Sequence, residues 1–302
     1  MKLYFYRGTQ NNFGDELNHW LMPKVFPGFF DEDESVLFLA IGSIILDSHP
    51  KDSLKVVFGS GYGGYTAAPV IDDRWKFYGV RGARTAEVCG LPPEQVVGDT
   101  AILINRFQPP ARAKKYKFSF MPHWETADRV NWRRACKMAG VHLIDPRESV
   151  DAVLEQLLET EVMITEAMHG AIVADALRVP WIPILPLIPK HRDKWHDWAS
   201  ALDLRLEPVE LATTASLRAQ YGQGGPGAMQ HLARTGWLGE RVAHFVMSLT
   251  AARALRKAAA STPQRSTDAA LERSVRKLEA AADRIKRDFA RTPRPDPAPA
   301  VG

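Results

Sequence analysis

The chain has 302 residues, 45% hydrophobic and 25% charged, the composition of a globular protein large enough to bury its own core. Its two cysteines, Cys89 and Cys136, exclude a disulfide framework and a cysteine-built zinc site, and fit a reducing compartment. The net charge of +4 is mild, much of the surplus lies between residues 253 and 294, and no nucleic-acid-binding module accompanies it, so an anionic small molecule or an anionic membrane surface is the partner that charge suits.

The apolar run at 3–6 is too short for a secretory leader. No stretch approaches the roughly 18 consecutive apolar residues of a membrane span, so the expected location is cytoplasmic. A strand at 3–6 leads through "NNFGDELN" into a helix over about 15–23. Strands at 36–45, 55–64 and 76–82 each run into glycine turns, a helix follows the last of them, and "VVGDTAIL" (96–103) closes the section. Strands followed at once by glycine turns and helices imply a parallel sheet with its loops at one edge.

"RFQPPARAKK" (106–115) reads as a linker. The pattern then restarts with a strand at 116–124 and a helix that ends at Gly140. A strand at 141–146 and a helix capped by Ser149 follow. Then come the strand-turn-helix "VMITEAMHGAIVADALRV" and a strand in "PWIPILPL". Together these predict a second, smaller Rossmann-like domain. Beyond it lie "KHRDKWHDW" (190–198), a Gly-rich loop at 221–228, a helix near 237–256 and a linker at 261–267. In the last helix Leu271, Val275, Leu278, Ala282, Ile285 and Phe289 repeat at four- and three-residue steps. That seam suits packing on its own domain, self-association, or peripheral membrane contact through Arg273, Arg276, Lys277, Arg284, Lys286 and Arg287. The Pro-rich end is expected to be disordered. The expected units are 1–110, 111–250 and a helical basic tail at 251–302.

The candidate chemistry sits in the strand-edge turns. His169 opens a helix at the carboxyl edge of the second sheet, where free N–H groups favour an anion, and Glu166 is placed to pair with it. The alternative is a capping network through Thr165 and Glu166. Arg81 and Arg84 suit a carboxylate or phosphate, or else pair with Asp72, Asp73 or Glu87. Asp99 orients one of those arginines or caps a helix. His123 follows the first strand of the second unit. Lys190 and Arg192 lie beside the expected cleft. Tyr62 and Tyr65 of "GSGYGGY" are candidate sugar platforms. That loop does not fit the dinucleotide fingerprint, which argues against a nicotinamide cofactor. Asn11, Asn12, Gly14 and Asp15 read either as a turn with Asp15 as helix cap or as cleft groups.

Taken in order, "NNFGDELN", "VRGARTAEVCGL", "VVGDTAIL" and "ITEAMHGAIVADALRVPWIPI" resemble the polysaccharide pyruvyl transferase family over roughly residues 8–200, closest to the branch that decorates exopolysaccharides of the succinoglycan type. The resemblance implies an α/β fold of two Rossmann-like domains, GT-B-like, with the site between them. It implies transfer of pyruvate from phosphoenolpyruvate, as co-substrate, to two hydroxyls of a sugar, with neither a further cofactor nor a metal. The acceptor is expected to be a lipid-linked oligosaccharide, and the location cytoplasmic, either free or peripheral at the inner face of the plasma membrane. The family's Ser-Arg-x-His signature reads Glu166-Ala167-Met168-His169 here, so its arginine must be replaced, with Arg81, Arg84, Lys190 and Arg192 as candidates. The expected roles are His169 as acid/base tuned by Glu166, His123 as second proton carrier, the arginines on the anion, and Asn12 and Asp15 on the acceptor. A glycosyltransferase using a nucleotide sugar, with Asp15 as base, is the alternative. A non-enzymatic assembly subunit is the third reading.

Overall fold

A computed structural model describes residues 1–107, 112–128, 130–211 and 237–289. Short apolar segments form its framework. Strands β1 (Lys2–Tyr4), β2 (Val36–Leu39), β3 (Leu54–Phe58) and β4 (Trp75–Gly79) pair in parallel in the order β1-β2-β3-β4. Most of β2 and β3 is buried, as continuous apolar runs require when both faces of a sheet are covered. A second parallel sheet, ordered β6-β5-β7-β8, is built from β5 (Tyr116–Met121), β6 (His142–Leu143), β7 (Thr160–Thr165) and β8 (Trp181–Pro183). The fold is thus α/β with two parallel sheets and a C-terminal helical region.

Helix α1 (Phe13–Val25) buries Phe13, Leu17, Leu21 and Val25 at helical spacing. The short α2 (Ala83–Val88) follows β4. Helix α3 (Trp132–Ala139) ends at Gly140, whose φ of 72° is the left-handed conformation glycine supplies without strain, and Ser149 caps α4 (Val150–Leu158) by accepting the Ala152 N–H. Helix α5 (Met168–Ala176) is buried at every position except His169. A helix apolar all round must lie inside the molecule, and its residues belong to the same core cluster as Phe38 and Val56 of the first sheet and Met163 of the second. Its one buried acid, Asp175, is satisfied by the Trp181 indole and by the backbone and hydroxyl of Ser266.

The sequence placed "VVGDTAIL" as a closing strand edge. It enters a 3-10 segment, Thr100–Arg106, capped by Asp99, whose side chain accepts the Ala101 N–H at 3.0 Å. The 261–267 segment is not a slack linker: Gln264 exchanges backbone hydrogen bonds with Trp181 of β8, and Thr267 caps the last helix.

Helix α6 (Asp193–Ala201) follows β8, and α7 (Trp237–Ala259) packs on α3 beside the second sheet. The last helix, α8 (Asp268–Asp288), returns to the first sheet. Its seam residues Leu271, Val275, Leu278, Ala282 and Ile285 are buried within the chain, so that face has no surface left for self-association. Much of the basic face is also engaged internally: Arg273 pairs with Asp203, Lys277 and Arg284 donate to the carbonyls of Val96 and Tyr78, and Lys286 lies over Phe26. No described helix is long and apolar enough to cross a membrane. The Gly-rich loop at 221–228 and the Pro-rich end from 290 lie outside the described residues, as does 108–111 of the basic break.

Candidate active site

The carboxyl edges of the two sheets face one cleft of about 470 Å³. The loops after β1, β2 and β3 contribute Asn12, Asp15, Ser43 and Tyr65. The turns after β5 and β7 contribute His123, Glu125 and His169, and the segment after β8 contributes Lys190, His191 and Lys194. Such an edge is where open parallel sheets expose converging loops and helix starts.

His169 is held from two sides. A Cβ at Gly14 would collide with its ring, so the glycine in "NNFGDELN" is the seat of this imidazole. On the other side the His169 Nε2 lies 3.7 Å from the buried Asp99 carboxylate. Neither that nitrogen nor the Asp99 Oδ2 has a hydrogen-bond partner among the described residues. The expected Glu166–His169 pair is replaced by this one. Glu166 instead accepts from the His123 and Leu187 N–H groups at 3.1 and 2.9 Å and from the Thr126 hydroxyl, tying three loops together.

Asp15 is not a cap. Helix α1 starts from Asn12, whose amide donates to the Asp15 Oδ2 at 2.7 Å. Burial raises the Asp15 pKa, against the lowering effect of Asn12 and His169. Asn18 fixes the helix by exchanging hydrogen bonds with both backbone groups of Ile41.

The two arginines are engaged elsewhere. Arg81 is fully buried, with Nε on Asp197 at 3.0 Å and an Nη on Ser43 at 2.8 Å. Gly61 of the Gly-rich loop makes room for its guanidinium rather than for a ligand. Arg84 pairs with Asp193 and lies over Tyr62. Neither lines the cleft, and neither pairs with Asp72, Asp73 or Glu87 among the described ion pairs. Arg192 donates to the Pro186 carbonyl and also stands off the cleft. Of the four candidate cations only Lys190 lines it, 3.8 Å from Glu125. Tyr62 is buried with its hydroxyl on the Thr66 carbonyl, whereas Tyr65 lines the cleft.

The residues missed from sequence include Glu125, His191 and Lys194; of these, Lys194 stands apart. It makes no hydrogen bond or ion pair with the described residues, and burial together with repulsion from Arg81 lowers its pKa to about 8. Ala167, His169 and Lys194 border one small cavity of about 30 Å³. Its signal was the four-residue step from Lys190, which puts both lysines on one side of a helical turn. His123 is almost wholly buried, and desolvation, followed by the charge of Lys194, lowers its pKa well below the usual histidine range. Its Nδ1 accepts the Glu125 N–H at 3.3 Å, which leaves Nε2–H as a donor. A neutral ring so fixed is a hydrogen-bond donor, not a proton shuttle.

Residues 53–186 match the model of a family described as polysaccharide pyruvyl transferase. The chain is 37% identical over 223 residues to the succinoglycan biosynthesis protein ExoV of Rhizobium meliloti (strain 1021), covering 71% of this chain and 70% of that protein. No solved structure matches it. The family match takes in Asp99, His123 and His169, whereas Gly14, Asp15 and Lys194 lie outside it.

Proposed function

The chain belongs to the polysaccharide pyruvyl transferase family, and from that premise we propose that it transfers pyruvate from phosphoenolpyruvate to two hydroxyls of one sugar in an exopolysaccharide or its lipid-linked repeat. The products are a cyclic ketal and phosphate. The observation that carries this reading is a lysine without a hydrogen-bond or ion-pair partner among the described residues, Lys194, sharing a cavity with His169, whose Nε2 lies 3.7 Å from Asp99 on its other side. Phosphoenolpyruvate is an anion with an electron-rich methylene. It needs a cation to hold it and an acid to protonate it, and those are the two groups brought together here.

In this mechanism Lys194, with Lys190, neutralises the donor and takes the place of the family arginine absent at Ala167. His169, backed by Asp99, delivers a proton to the methylene carbon. The central carbon then accepts a sugar hydroxyl, whose proton passes to Asp15. The C–O bond to phosphate breaks, the second hydroxyl closes the ring, and its proton leaves with phosphate. Each proton transfer by a positioned group is worth about 10²–10⁴-fold. A cleft of about 470 Å³ has room for a three-carbon anion and a sugar ring. The facing carboxyl edges support a two-domain, GT-B-like arrangement.

The test is incubation with phosphoenolpyruvate and a panel of β-linked sugars, free and lipid-linked, following phosphate release and the ketal methyl signal by NMR. Phosphate release that depends on the acceptor and yields a ketal supports the proposal. Turnover of nucleotide sugars without either product would replace it with glycosyl transfer.

A further inference from the structure

Three side chains on the cleft wall are not used by that mechanism. His123 and Glu125 follow β5, and His191 follows β8. One ligand atom from each lies within 4.8 Å of the others. The His191 Nε2 meets the Glu125 Oε2 at 2.5 Å, and the His123 Nδ1 lies 3.8 Å from the same oxygen. The two imidazole rings are stacked with centroids 4.4 Å apart. Both histidines are buried, while Glu125 is partly open to the cleft. The other His191 nitrogen, Nδ1, is hydrogen-bonded to the Tyr65 hydroxyl at 2.9 Å.

We propose that His123, Glu125 and His191 form a binding site for a divalent transition-metal ion of the zinc type, with open coordination positions toward the cleft, the His123 Nδ1 exchanging its 3.3 Å contact with the Glu125 N–H for the ion. Two imidazoles and a carboxylate are the donor set that zinc, cobalt and manganese accept, and three protein ligands leave positions free for an oxygen ligand. A ligating histidine nearly always has its second nitrogen held by a hydrogen bond, and Tyr65 supplies that bond here. Lys190, 3.8 Å from Glu125, and Lys194 add positive charge to the same wall. The ion should therefore bind more tightly when a phosphate occupies its open positions. The sequence expectation of no metal came from the chemistry that the family resemblance implies, and the lack of cysteine sets excluded only a cysteine-built site. His191 lies 66 residues beyond Glu125, so no short spacing announces the site.

The experiment is zinc titration of chelator-treated full-length protein by calorimetry, with and without inorganic phosphate. The expected result is one zinc per chain, tightened by phosphate. Glu125→Gln and His191→Ala should abolish stoichiometric binding, and Tyr65→Phe should weaken it by about 10–100-fold. His142→Ala, at a histidine bonded to Gln156 instead, should change nothing. Thermal melts confirm that the variants fold, and the visible spectrum of the cobalt-loaded wild-type protein reports the ligand set without any variant. Absence of stoichiometric zinc and of a cobalt spectrum overturns the proposal, as does binding that survives both Glu125→Gln and His191→Ala. The readout uses neither phosphoenolpyruvate nor sugar, so its failure leaves the pyruvyl-transfer reading intact.

Discussion

At the scale of single residues, the site is assembled by packing before chemistry. A methyl group at residue 14 has no space beside the His169 ring, so Gly14→Ala should displace the imidazole while α1 still forms. A shift of about 1 Å can cost on the order of 10²-fold in rate, so kcat should fall by about that much with an unchanged circular dichroism spectrum. Asp99→Asn keeps an oxygen for the Ala101 cap but removes the charge facing His169, and kcat should drop about 10²–10⁴-fold. Wild-type turnover in that variant would remove Asp99 from the mechanism. The pH profile follows from two groups. In the proposed mechanism Asp15 works ionised, and because burial raises its pKa, the acid limb of kcat/KM should lie above the usual carboxylate range. Lys194 works protonated, so kcat/KM for phosphoenolpyruvate falls as pH rises through about 8. Lys194→Arg stays charged and should lose the part of the alkaline limb that Lys194 contributes near pH 8.

At the scale of elements, local signals were legible and long-range partners were not. The Gly140 terminus, the Ser149 cap and the strand-turn-helix around His169 all appear where residue type dictates them, because each depends on neighbours a few positions away. The partners of the charged groups do not. Arg81 meets Asp197 from 116 residues away, and nothing within its own segment marks that choice. The periodicity of α8 was readable, but which surface it covers was not, because a seam records only that a face is apolar. Its destination on the first sheet makes a clear stability prediction. Leu278 is fully buried, so Leu278→Ala should cost about 2–5 kcal/mol, measured by denaturant unfolding. A chain ending at residue 260 should fail to give a cooperative transition, because the apolar face of the first sheet would be left open.

At the scale of the whole molecule, the halves are joined through buried polar groups as well as apolar packing. Asp197 of α6 holds Arg81 at the end of β4 and also accepts from the Thr85 N–H and hydroxyl at 2.9 and 2.6 Å. Asp197→Ala strands a fully buried guanidinium, and about 3–5 kcal/mol of stability should be lost. The same bond network anchors α6, which carries Lys194 into the cleft, so this variant should lower phosphoenolpyruvate affinity even at temperatures where it stays folded. A protein that stays folded but binds with wild-type affinity would separate anchoring from function.

The return of α8 to the first sheet also governs the order of events on the ribosome. The Tyr78 hydroxyl donates to Asp288 across 210 residues, and the Tyr78 carbonyl accepts from Arg284 across 206. The first sheet therefore cannot be sealed until α8 has emerged. Contacts of such sequence separation slow folding and leave an apolar surface exposed meanwhile. The nascent N-terminal half should consequently be a chaperone client throughout synthesis, and a frameshift as late as residue 270 should be as damaging as one near the start.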